Sequence, residues 1–193
     1  FNNNYKITIS TFSGWMRILK AVKDSVLWLF ENNSKSAKNL QKEALKHGIN
    51  DNRLIFAAQM PVEEHLNRIK LADLFLDTLP YNAHTTSSDS LRMNVPVLTC
   101  IGQSFASRVA ASIVNAVNLP ELITHSQEEY ESLAIELATN PDKLKAIKEK
   151  LASNLATAPL YDTKLFAKNI ESAYTQMYER HHQGLEPDHI YVE

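Results

Sequence analysis

Glycine is scarce in this sequence, with four residues at positions 14, 48, 102 and 184 of 193. The dinucleotide-binding fingerprint and the phosphate loop of P-loop enzymes both need closely spaced glycines. These widely separated positions exclude both motifs, and with them nicotinamide chemistry and P-loop ATP hydrolysis. The metalloprotease motif H-E-x-x-H, the hydrolase motif G-x-S-x-G and a metal-holding D-x-D pair are also absent. We therefore expect any bound anion to be neutralised by protein cations and helix N–H groups, with no metal and no cofactor.

Cysteine and long apolar runs are also limited. Cys100 is the only cysteine, which excludes an internal disulfide and favours a reducing compartment, so we expect a cytoplasmic protein. No run approaches the roughly 20 apolar residues that span a bilayer, and residues 1–6 lack the features of a signal peptide. Acidic and basic residues nearly balance at a formal charge of −2, so neither nucleic acid nor an anionic membrane is an expected partner.

The composition is that of a folded globular chain. Apolar residues make up 44% and charged residues 22% of the sequence, and 193 residues fit one core. We expect a single domain over residues 1–193, with the sheet and its helices in 1–125, closing helices in 126–183 and an irregular tail in 184–193. Because the first residue is Phe rather than Met, the sequence is also expected to be a piece of a longer protein.

Short runs rich in β-branched and aromatic residues alternate with segments of helical periodicity. Each run is predicted to be a strand: 5–9, 26–30, 54–58, 74–76, 97–101 and 122–124. Strands that are apolar on both faces and are each followed by a helix form parallel sheets covered on two sides. The sequence therefore predicts an α/β fold with a doubly wound parallel sheet.

Helix ends are marked by familiar residues. Gly48 is predicted to end one helix, and Pro61 is predicted to begin the next. After residue 126 the strand signals stop, and Asn140-Pro141 and Ala158-Pro159 separate helical segments. Three closing helices are predicted there, over 130–137, 144–151 and 165–178.

The most polar strand-to-helix loop spans residues 77–89. In open parallel sheets, ligands bind at the carboxyl ends of the strands, where such loops and helix N-termini converge. Residues 85–88 place four hydroxyl groups at a helix start, whose N–H groups and dipole attract anions. His84 precedes this cluster, and Asp89 lies one turn into the helix, where it can face ribose hydroxyls. The loop therefore predicts a phosphate site.

Two further candidates lie near predicted strand ends. His65 and Arg68 are three residues apart on one helix face, so an imidazole that can stack on a base lies beside a guanidinium that can reach the carbonyls of that base. Lys6 lies on or just after the first predicted strand, where its ammonium can neutralise a diphosphate.

Each candidate also has an ordinary structural interpretation. Thr86 or Ser87 can act only as a helix cap. Arg68 can form an i,i+4 ion pair with Glu64, and Lys6 can be a solvated surface residue. The residue types and their spacing leave these interpretations open.

Longer motifs point to a family. The stretch from Arg53 to Arg108 contains LFLDTLPYNAHTTSSD, VPVLT and FASRVAAS, and FNNNYKI, SVLWL and LYDT lie outside it. Together they resemble the C-terminal catalytic segment of bacterial members of the O-linked N-acetylglucosamine transferase and SPINDLY family, over nearly the whole chain. The resemblance implies a two-domain glycosyltransferase B architecture, in which this chain is the second, donor-binding Rossmann-like domain.

The resemblance also implies a role for each candidate of the phosphate site. Lys6 would contact the diphosphate of a UDP-sugar and stabilise the departing nucleotide, which makes it the expected catalytic residue. Thr85 and Thr86 would bind phosphate at the helix start, and His84 would support that loop.

The remaining donor contacts implied by the resemblance involve the base and the ribose. His65 and Arg68 would frame the uracil, with the backbone at Met60 hydrogen-bonding the base. Asp89 would bind the ribose, and Asn3 corresponds to a family position near the donor.

Two positions depart from the family pattern. Val62 stands where the animal enzymes have a lysine, so one ribose contact of those enzymes is not expected here. Bacterial relatives usually read Leu-Trp-Ala-Gly where this chain has residues 91–94. Asn94 is therefore expected to adopt the left-handed conformation that glycine would take.

The activity implied is the metal-independent, inverting transfer of a sugar, N-acetylglucosamine first among the candidates, from UDP to a protein Ser or Thr hydroxyl. Acceptor recognition would lie in an N-terminal domain and tetratricopeptide repeats outside this chain, so the fragment alone is expected to be inactive. The alternatives are GDP-fucose-dependent transfer by the same scaffold and a non-catalytic nucleotide-binding or interaction module.

A final expectation concerns self-association. The last predicted helix carries an apolar stripe made of Leu165, Phe166, Ile170, Tyr174 and Met177. This stripe is expected either to face the absent domain, in which case the fragment can self-associate, or to cover the chain's own sheet.

Overall fold

The computed structural model describes residues 3–192 as an α/β fold of short parallel strands enclosed by helices. The strands are β1 (Leu27–Phe30), β2 (Leu54–Ala57), β3 (Phe75–Leu76), β4 (Val97–Cys100) and β5 (Ile123–Thr124). The α-helices are α1 (Ile9–Ala21), α2 (Ser34–Lys46), α3 (Val62–Ile69), α4 (Thr85–Arg92), α5 (Val109–Ala116), α6 (Gln127–Thr139), α7 (Pro141–Leu155) and α8 (Thr163–His182). The predicted alternation of strands and helices is confirmed from residue 26 onward.

Every strand pair formed within residues 3–192 is parallel. β1 pairs with β2 in the register Leu27↔Leu54 to Phe30↔Ala57, and β4 lies between β3 and β5. The strands therefore form two pieces of sheet, with the orders β1-β2 and β3-β4-β5. The predicted parallel, doubly wound class is confirmed, but the described strands do not join into one continuous sheet.

Helices cover both faces of the strands. Neighbouring residues of β4 therefore point to two different core clusters. Leu98 packs in a cluster with Trp15 of α1 and Tyr130 of α6. Val97 packs in a second cluster with residues of α4 and α5, such as Leu91. This burial on two sides explains why the sequence of β4 does not alternate between apolar and polar residues.

The predicted strand over residues 5–9 is wrong. Asn4–Lys6 forms a 3-10 turn, and α1 follows it. The Thr8 side-chain oxygen accepts a hydrogen bond from the Thr11 backbone N–H at 3.2 Å and so caps α1. Tyr5 and Ile9 are 71% and 89% exposed, and only Ile7 among the apolar residues of this run packs against a core cluster. The helix cap at Thr8 therefore decides the local structure against the β propensity of the run.

Four described residues that follow helices adopt the left-handed conformation, and two of them, Gly48 and Asn94, lie at turns that the sequence predicts. Gly48 follows α2 with a φ of 75°, as the predicted helix stop requires. Asn94 follows α4 with a φ of 61°. This conformation confirms the expectation that asparagine takes the place of a turn glycine before β4.

The closing helices α6, α7 and α8 lie where the sequence predicts them. α8 buries none of its residues, and Phe166, Tyr174 and Met177 are 66%, 63% and 50% exposed. The alternative in which this stripe covers the chain's own sheet is therefore wrong, and self-association through it stays a prediction. Residues 185–192 form no regular element. No helix within residues 3–192 is long and apolar enough to cross a membrane.

Candidate functional site

A cavity of about 680 Å³ opens at the carboxyl ends of β1, β2 and β3. Phe30 at the end of β1, Gln59 after β2 and Tyr81 after β3 contribute to its wall. The loops that follow parallel strands meet at one edge of a sheet, which explains this convergence. Eight of the nine predicted site residues line the cavity: Asn3, Lys6, Met60, His65, Arg68, His84, Thr85 and Thr86.

Lys6 is nearly buried beside the loop that follows β3. Its ammonium donates a hydrogen bond to the backbone oxygen of Asn82 at 2.8 Å and lies 4.4 Å from the centroid of the Tyr81 ring. Burial lowers the pKa of Lys6, and the nearby Asp77 carboxylate partly opposes this effect. Since an ammonium has three donors and Asn82 takes one, Lys6 can also hydrogen-bond an anion in the cavity.

Asp77 follows β3 and holds the loop beneath Lys6. Its carboxylate accepts hydrogen bonds from the backbone N–H groups of Thr78 at 2.8 Å and Ala83 at 2.6 Å, and from the Thr99 hydroxyl at 2.7 Å. Burial raises the pKa of Asp77 to about 6, although these hydrogen bonds and the Lys6 charge act in the opposite direction. The carboxylate thus ties the two ends of the loop to β4.

Helix α4 begins at Thr85, so its N-terminal turn lies at the cavity wall. The N–H groups of a first helical turn have no acceptor within the helix, and with the helix dipole they attract anions. His84 occupies the N-cap position without a side-chain capping bond, and the buried Ser87 hydroxyl donates to the Ala83 backbone oxygen at 3.1 Å. The interpretation of Thr86 or Ser87 as the helix cap is therefore wrong.

His84 joins the loop after β3 to the loop after β4. Its ring stacks on Tyr81, with centroids 5.2 Å apart and an interplanar angle of 23°. On the other side, His84 Nε2 lies 3.5 Å from the Ala106 backbone oxygen, and the ring makes an edge contact with Phe105. These contacts fix the position of His84 before α4, and its role in supporting a phosphate-binding loop stays a prediction.

His65 and Arg68 form a hydrogen-bonded pair on α3. His65 Nδ1 lies 2.8 Å from Arg68 Nη2, and the imidazole nitrogen is the acceptor because a guanidinium can only donate. Arg68 Nη1 also donates to the backbone oxygen of Ala58 at 2.8 Å. Burial lowers the pKa of His65, and the Arg68 charge lowers it further, so the imidazole is neutral near pH 7. Arg68 thus orients a neutral ring toward the cavity that both residues line.

Asp89 is the one predicted site residue that does not line the cavity. It lies one turn into α4, close enough to His65 of α3 for a protonated imidazole to lower the pKa of its carboxyl group. Burial raises the pKa of Asp89, while His65 and Arg92 lower it. Its expected contact with a ribose stays a prediction, which its place close to His65 allows.

Six residues of the cavity wall are absent from the predicted site residues: Tyr5, Phe30, Asn32, Gln59, Val62 and Tyr81. Tyr81 lies under the Lys6 ammonium, and Tyr5 packs edge-on against Tyr81 with ring centroids 6.2 Å apart. Asn32 and Tyr81 each follow a predicted strand. Their place in the loops after those strands is the sequence feature that could identify them as site residues. Tyr5 has no such signal, because the composition of residues 5–9 predicts a strand there.

The charge of the wall suits an anionic ligand. Among the described lining residues, Lys6 and Arg68 are basic and none is acidic. Residues 3–192 contain no group of three or more His, Cys, Asp or Glu side chains that could hold a metal ion. The protein groups that can neutralise a phosphate here are therefore these cations and the N-terminus of α4.

The sequence profile of glycosyl transferase family 41 matches residues 1–170. The chain belongs to glycosyl transferase family 41. It is similar to the Caenorhabditis elegans UDP-N-acetylglucosamine–peptide N-acetylglucosaminyltransferase, with 36% identity over 190 residues, which are 98% of this chain and 16% of that protein. The probable enzyme of the same name, SEC, from Arabidopsis thaliana is 37% identical over 193 residues, which are 100% of this chain and 20% of that protein.

A solved O-GlcNAc transferase structure shares the fold. The chain matches a mutant of the Thermobaculum terrenum O-GlcNAc transferase with a TM-score of 0.87 and 30% identity, over 92% of this chain and 35% of that chain. The α/β fold described above is therefore a family 41 fold. The chain spans a fifth or less of the length of the two curated family 41 relatives named above.

Proposed function

We propose that this chain is the donor-binding domain of a protein O-glycosyltransferase and binds UDP-N-acetylglucosamine. The observation that carries the proposal is the convergence of Lys6, the His65–Arg68 pair and the first turn of α4 on one cavity of about 680 Å³. The relatives named above are UDP-N-acetylglucosamine–peptide transferases. Their names support a UDP-sugar as the ligand.

The diphosphate is assigned to the wall formed by Lys6 and α4. The Lys6 ammonium supplies positive charge, and the first turn of α4 supplies N–H groups together with the hydroxyls of Thr85 and Thr86. Asp77 holds the loop whose Asn82 carbonyl positions Lys6. The donors are thus set in place before the ligand binds, which reduces the ordering cost of binding.

The base and the ribose are assigned to α3 and its surroundings. The neutral His65 ring offers a face for stacking, Arg68 holds the orientation of that ring, and the backbone at Met60 hydrogen-bonds the uracil. Asp89 accepts hydrogen bonds from the ribose hydroxyls, and Asn3 lies near the donor. Val62 lines the cavity but has no group that can bind the ribose.

In the proposed reaction, a protein Ser or Thr hydroxyl attacks the anomeric carbon while the bond from that carbon to the diphosphate breaks, with inversion. Negative charge grows on the leaving diphosphate, and donors already aimed at that charge lower the barrier. Lys6 is the catalytic residue in this proposal, because Asn82 and Tyr81 hold its ammonium in place. The transfer needs no metal, since protein groups neutralise the leaving group.

The proposal also assigns separate roles to the parts of the longer polypeptide. Residues 1–193 act as one domain, in which 1–125 carry the site, 126–183 close the fold and 184–193 form a tail. Every described lining residue of the donor cavity lies between Asn3 and Thr86, which supports this division. The protein acceptor and any general base belong to parts outside this chain, so the isolated chain should bind donor without transferring sugar.

Calorimetric titration of the isolated chain with UDP and GDP tests the binding proposal. Wild type and the control variant Lys20→Met, at an exposed position of α1, should bind UDP equally. Lys6→Met should lose some affinity, and in the full-length polypeptide it should lower turnover by about 10²–10³-fold. Turnover retained in Lys6→Met would refute the catalytic role. Tighter binding of GDP than of UDP would favour the GDP-fucose alternative, and no binding of either would favour an interaction module.

A further inference from the structure

Tyr81 contacts both parts of the cavity wall that is assigned to the diphosphate. The Lys6 ammonium nitrogen lies 4.4 Å from the centroid of the Tyr81 ring. The same ring stacks on His84, the N-cap residue of α4, with centroids 5.2 Å apart and an interplanar angle of 23°. One aromatic ring therefore packs against the cation and against the residue that precedes the proposed phosphate-binding helix.

The loop that carries Tyr81 holds the ring in place. The Tyr81 backbone oxygen accepts a hydrogen bond from the Thr78 hydroxyl at 2.7 Å. The next residue, Asn82, is fully buried, and its backbone N–H donates to the Ala106 oxygen at 2.9 Å. Its side-chain amide also donates to the Thr78 backbone oxygen at 2.8 Å. Tyr81 and Asn82 thus present a preformed surface, made of a ring and a carbonyl oxygen, to the Lys6 ammonium.

Lys6 needs such contacts because its charge is largely removed from water. The residue is 9% exposed, and this burial lowers its pKa. The Asp77 carboxylate opposes the effect, but three other donors also hydrogen-bond to that carboxylate. The face of an aromatic ring carries negative charge density and attracts a cation more strongly where water is excluded. Contact with Tyr81 therefore favours the charged form of Lys6.

The other ionisable groups around Lys6 do not replace this contact. Among the described residues, the ionisable side chains that line the cavity with Lys6 are Tyr5, His65, Arg68, Tyr81 and His84. None of them is a carboxylate. Besides Asp77, the described groups that attract the ammonium are therefore the Asn82 carbonyl and the Tyr81 ring.

We propose that Tyr81 is a positioning residue for Lys6, whose ammonium the ring holds beside the first turn of α4 so that both bind one diphosphate. The inference rests on the proposed function, because Lys6 acts there as a donor to the diphosphate. The contacts of the Tyr81 side chain with described residues are made by its ring. Phenylalanine should therefore replace tyrosine, whereas leucine should fill part of the space without attracting the cation.

The titration of Lys6 tests the contact in the absence of a ligand. The pKa of Lys6 is measured by NMR in wild type, Tyr81→Phe, Tyr81→Leu and the control Tyr174→Leu, at an exposed position of α8. Tyr81→Phe and the control should keep the wild-type pKa, and Tyr81→Leu should lower it by about 0.4–1.5. If the ring only shielded Lys6 from water, leucine would expose the ammonium and raise its pKa instead. A raised or unchanged pKa in Tyr81→Leu overturns the proposal.

A series of rings of nearly equal size keeps the test decisive if leucine unfolds the chain. Phenylalanine, difluorophenylalanine and pentafluorophenylalanine are incorporated at position 81. Fluorine withdraws electron density from the ring face, so the pKa of Lys6 should fall stepwise along the series. An equal pKa of Lys6 in all three folded chains overturns the proposal.

Titration with UDP connects the contact to the proposed donor site. Tyr81→Phe should bind UDP as wild type does, and Tyr81→Leu should have a dissociation constant at least about twofold higher. Because the ammonium form binds the diphosphate, affinity should be lost at a lower pH in Tyr81→Leu than in wild type. Equal affinity and equal pH dependence in these two chains overturn this inference alone. A wild-type chain that does not bind UDP refutes the proposed function, and this inference with it.

Discussion

The carboxylate of Asp77 accepts a 2.6 Å hydrogen bond from the backbone N–H of Ala83, two residues before α4 begins. Because the same carboxylate accepts a hydrogen bond from Thr99 of β4, one buried side chain joins the start of the proposed phosphate-binding helix to the sheet. Hydrogen bonds to an ionised acceptor are stronger than those between neutral groups. This arrangement accounts for an ionisable residue that is only 3% exposed.

Replacing Asp77 with Asn should change how stability depends on pH. Burial raises the pKa of Asp77 from 3.8 to about 6, so the folded chain binds this proton more tightly than the unfolded chain does. The stability of wild type relative to Asp77→Asn should therefore fall as the pH rises from about 4 to about 6, by roughly 3 kcal/mol in all, and stay constant above that range. Denaturant unfolding at several pH values measures this difference.

A second variant separates the titration of Asp77 from its hydrogen bonds. Thr99→Val removes one donor to the carboxylate but leaves the group able to ionise. The free energy of unfolding of this variant should be lower than that of wild type. Its difference from the free energy of unfolding of Asp77→Asn should still depend on pH. A wild-type stability that rises with pH relative to Asp77→Asn would contradict the assignment of a raised pKa.

His65→Ala should weaken UDP binding, because the variant loses the ring assigned to stack on the base. Base–aromatic stacking contributes about 1–3 kcal/mol, so the dissociation constant should rise at least about fivefold. His65→Phe should recover part of the affinity, since phenylalanine keeps an aromatic face. Val62→Ala is the matched control on the same cavity wall and should bind as wild type does. Equal affinities of the His65→Ala and wild-type chains would remove His65 from the base site.

Gly102→Ala should destabilise the loop after β4 by about 1–3 kcal/mol, because the added Cβ meets a side chain that cannot move away. The new atom would lie 2.6 Å from Ser107 Cβ, and Ser107 is buried and hydrogen-bonded to Ser104. Gly14→Ala in α1 is the control, since there the Cβ meets the flexible end of Gln127 and alanine favours a helix. Denaturant unfolding compares the two, and equal losses of stability would contradict this account.

Much of the fold could be predicted because the strands are short, mostly apolar runs, of which β4 is buried on both faces. β1, β2 and β4 lie within one or two residues of their predicted ends, since apolar β-branched runs and turn residues act locally. The segment 5–9 has the same composition, but Thr8 caps a helix there and two of its three apolar residues, Tyr5 and Ile9, are exposed to solvent. The break between β1 and β3 has no local signal at all, because strand pairing depends on segments distant in the sequence.

The candidate site was predictable to the extent that it follows from topology. Lys6, His65 and Thr85 line one cavity because loops at the carboxyl ends of parallel strands converge. The place of Tyr81 under the Lys6 ammonium depends instead on the path of a loop that Asp77 holds from inside. Such contacts between loop and core have no sequence periodicity, so spacing alone does not reveal them.

Chemical-shift mapping of UDP on the isotope-labelled chain tests the donor-site proposal most directly. The amides of Thr85 and Thr86, the Lys6 ammonium and the His65 ring should shift together during the titration, with a single dissociation constant. Inorganic phosphate alone should shift the resonances of Thr85, Thr86 and Lys6. The resonances of the His65 ring should then stay unchanged. Shifts confined to other surfaces, or none at these four residues at saturating UDP, would contradict the account.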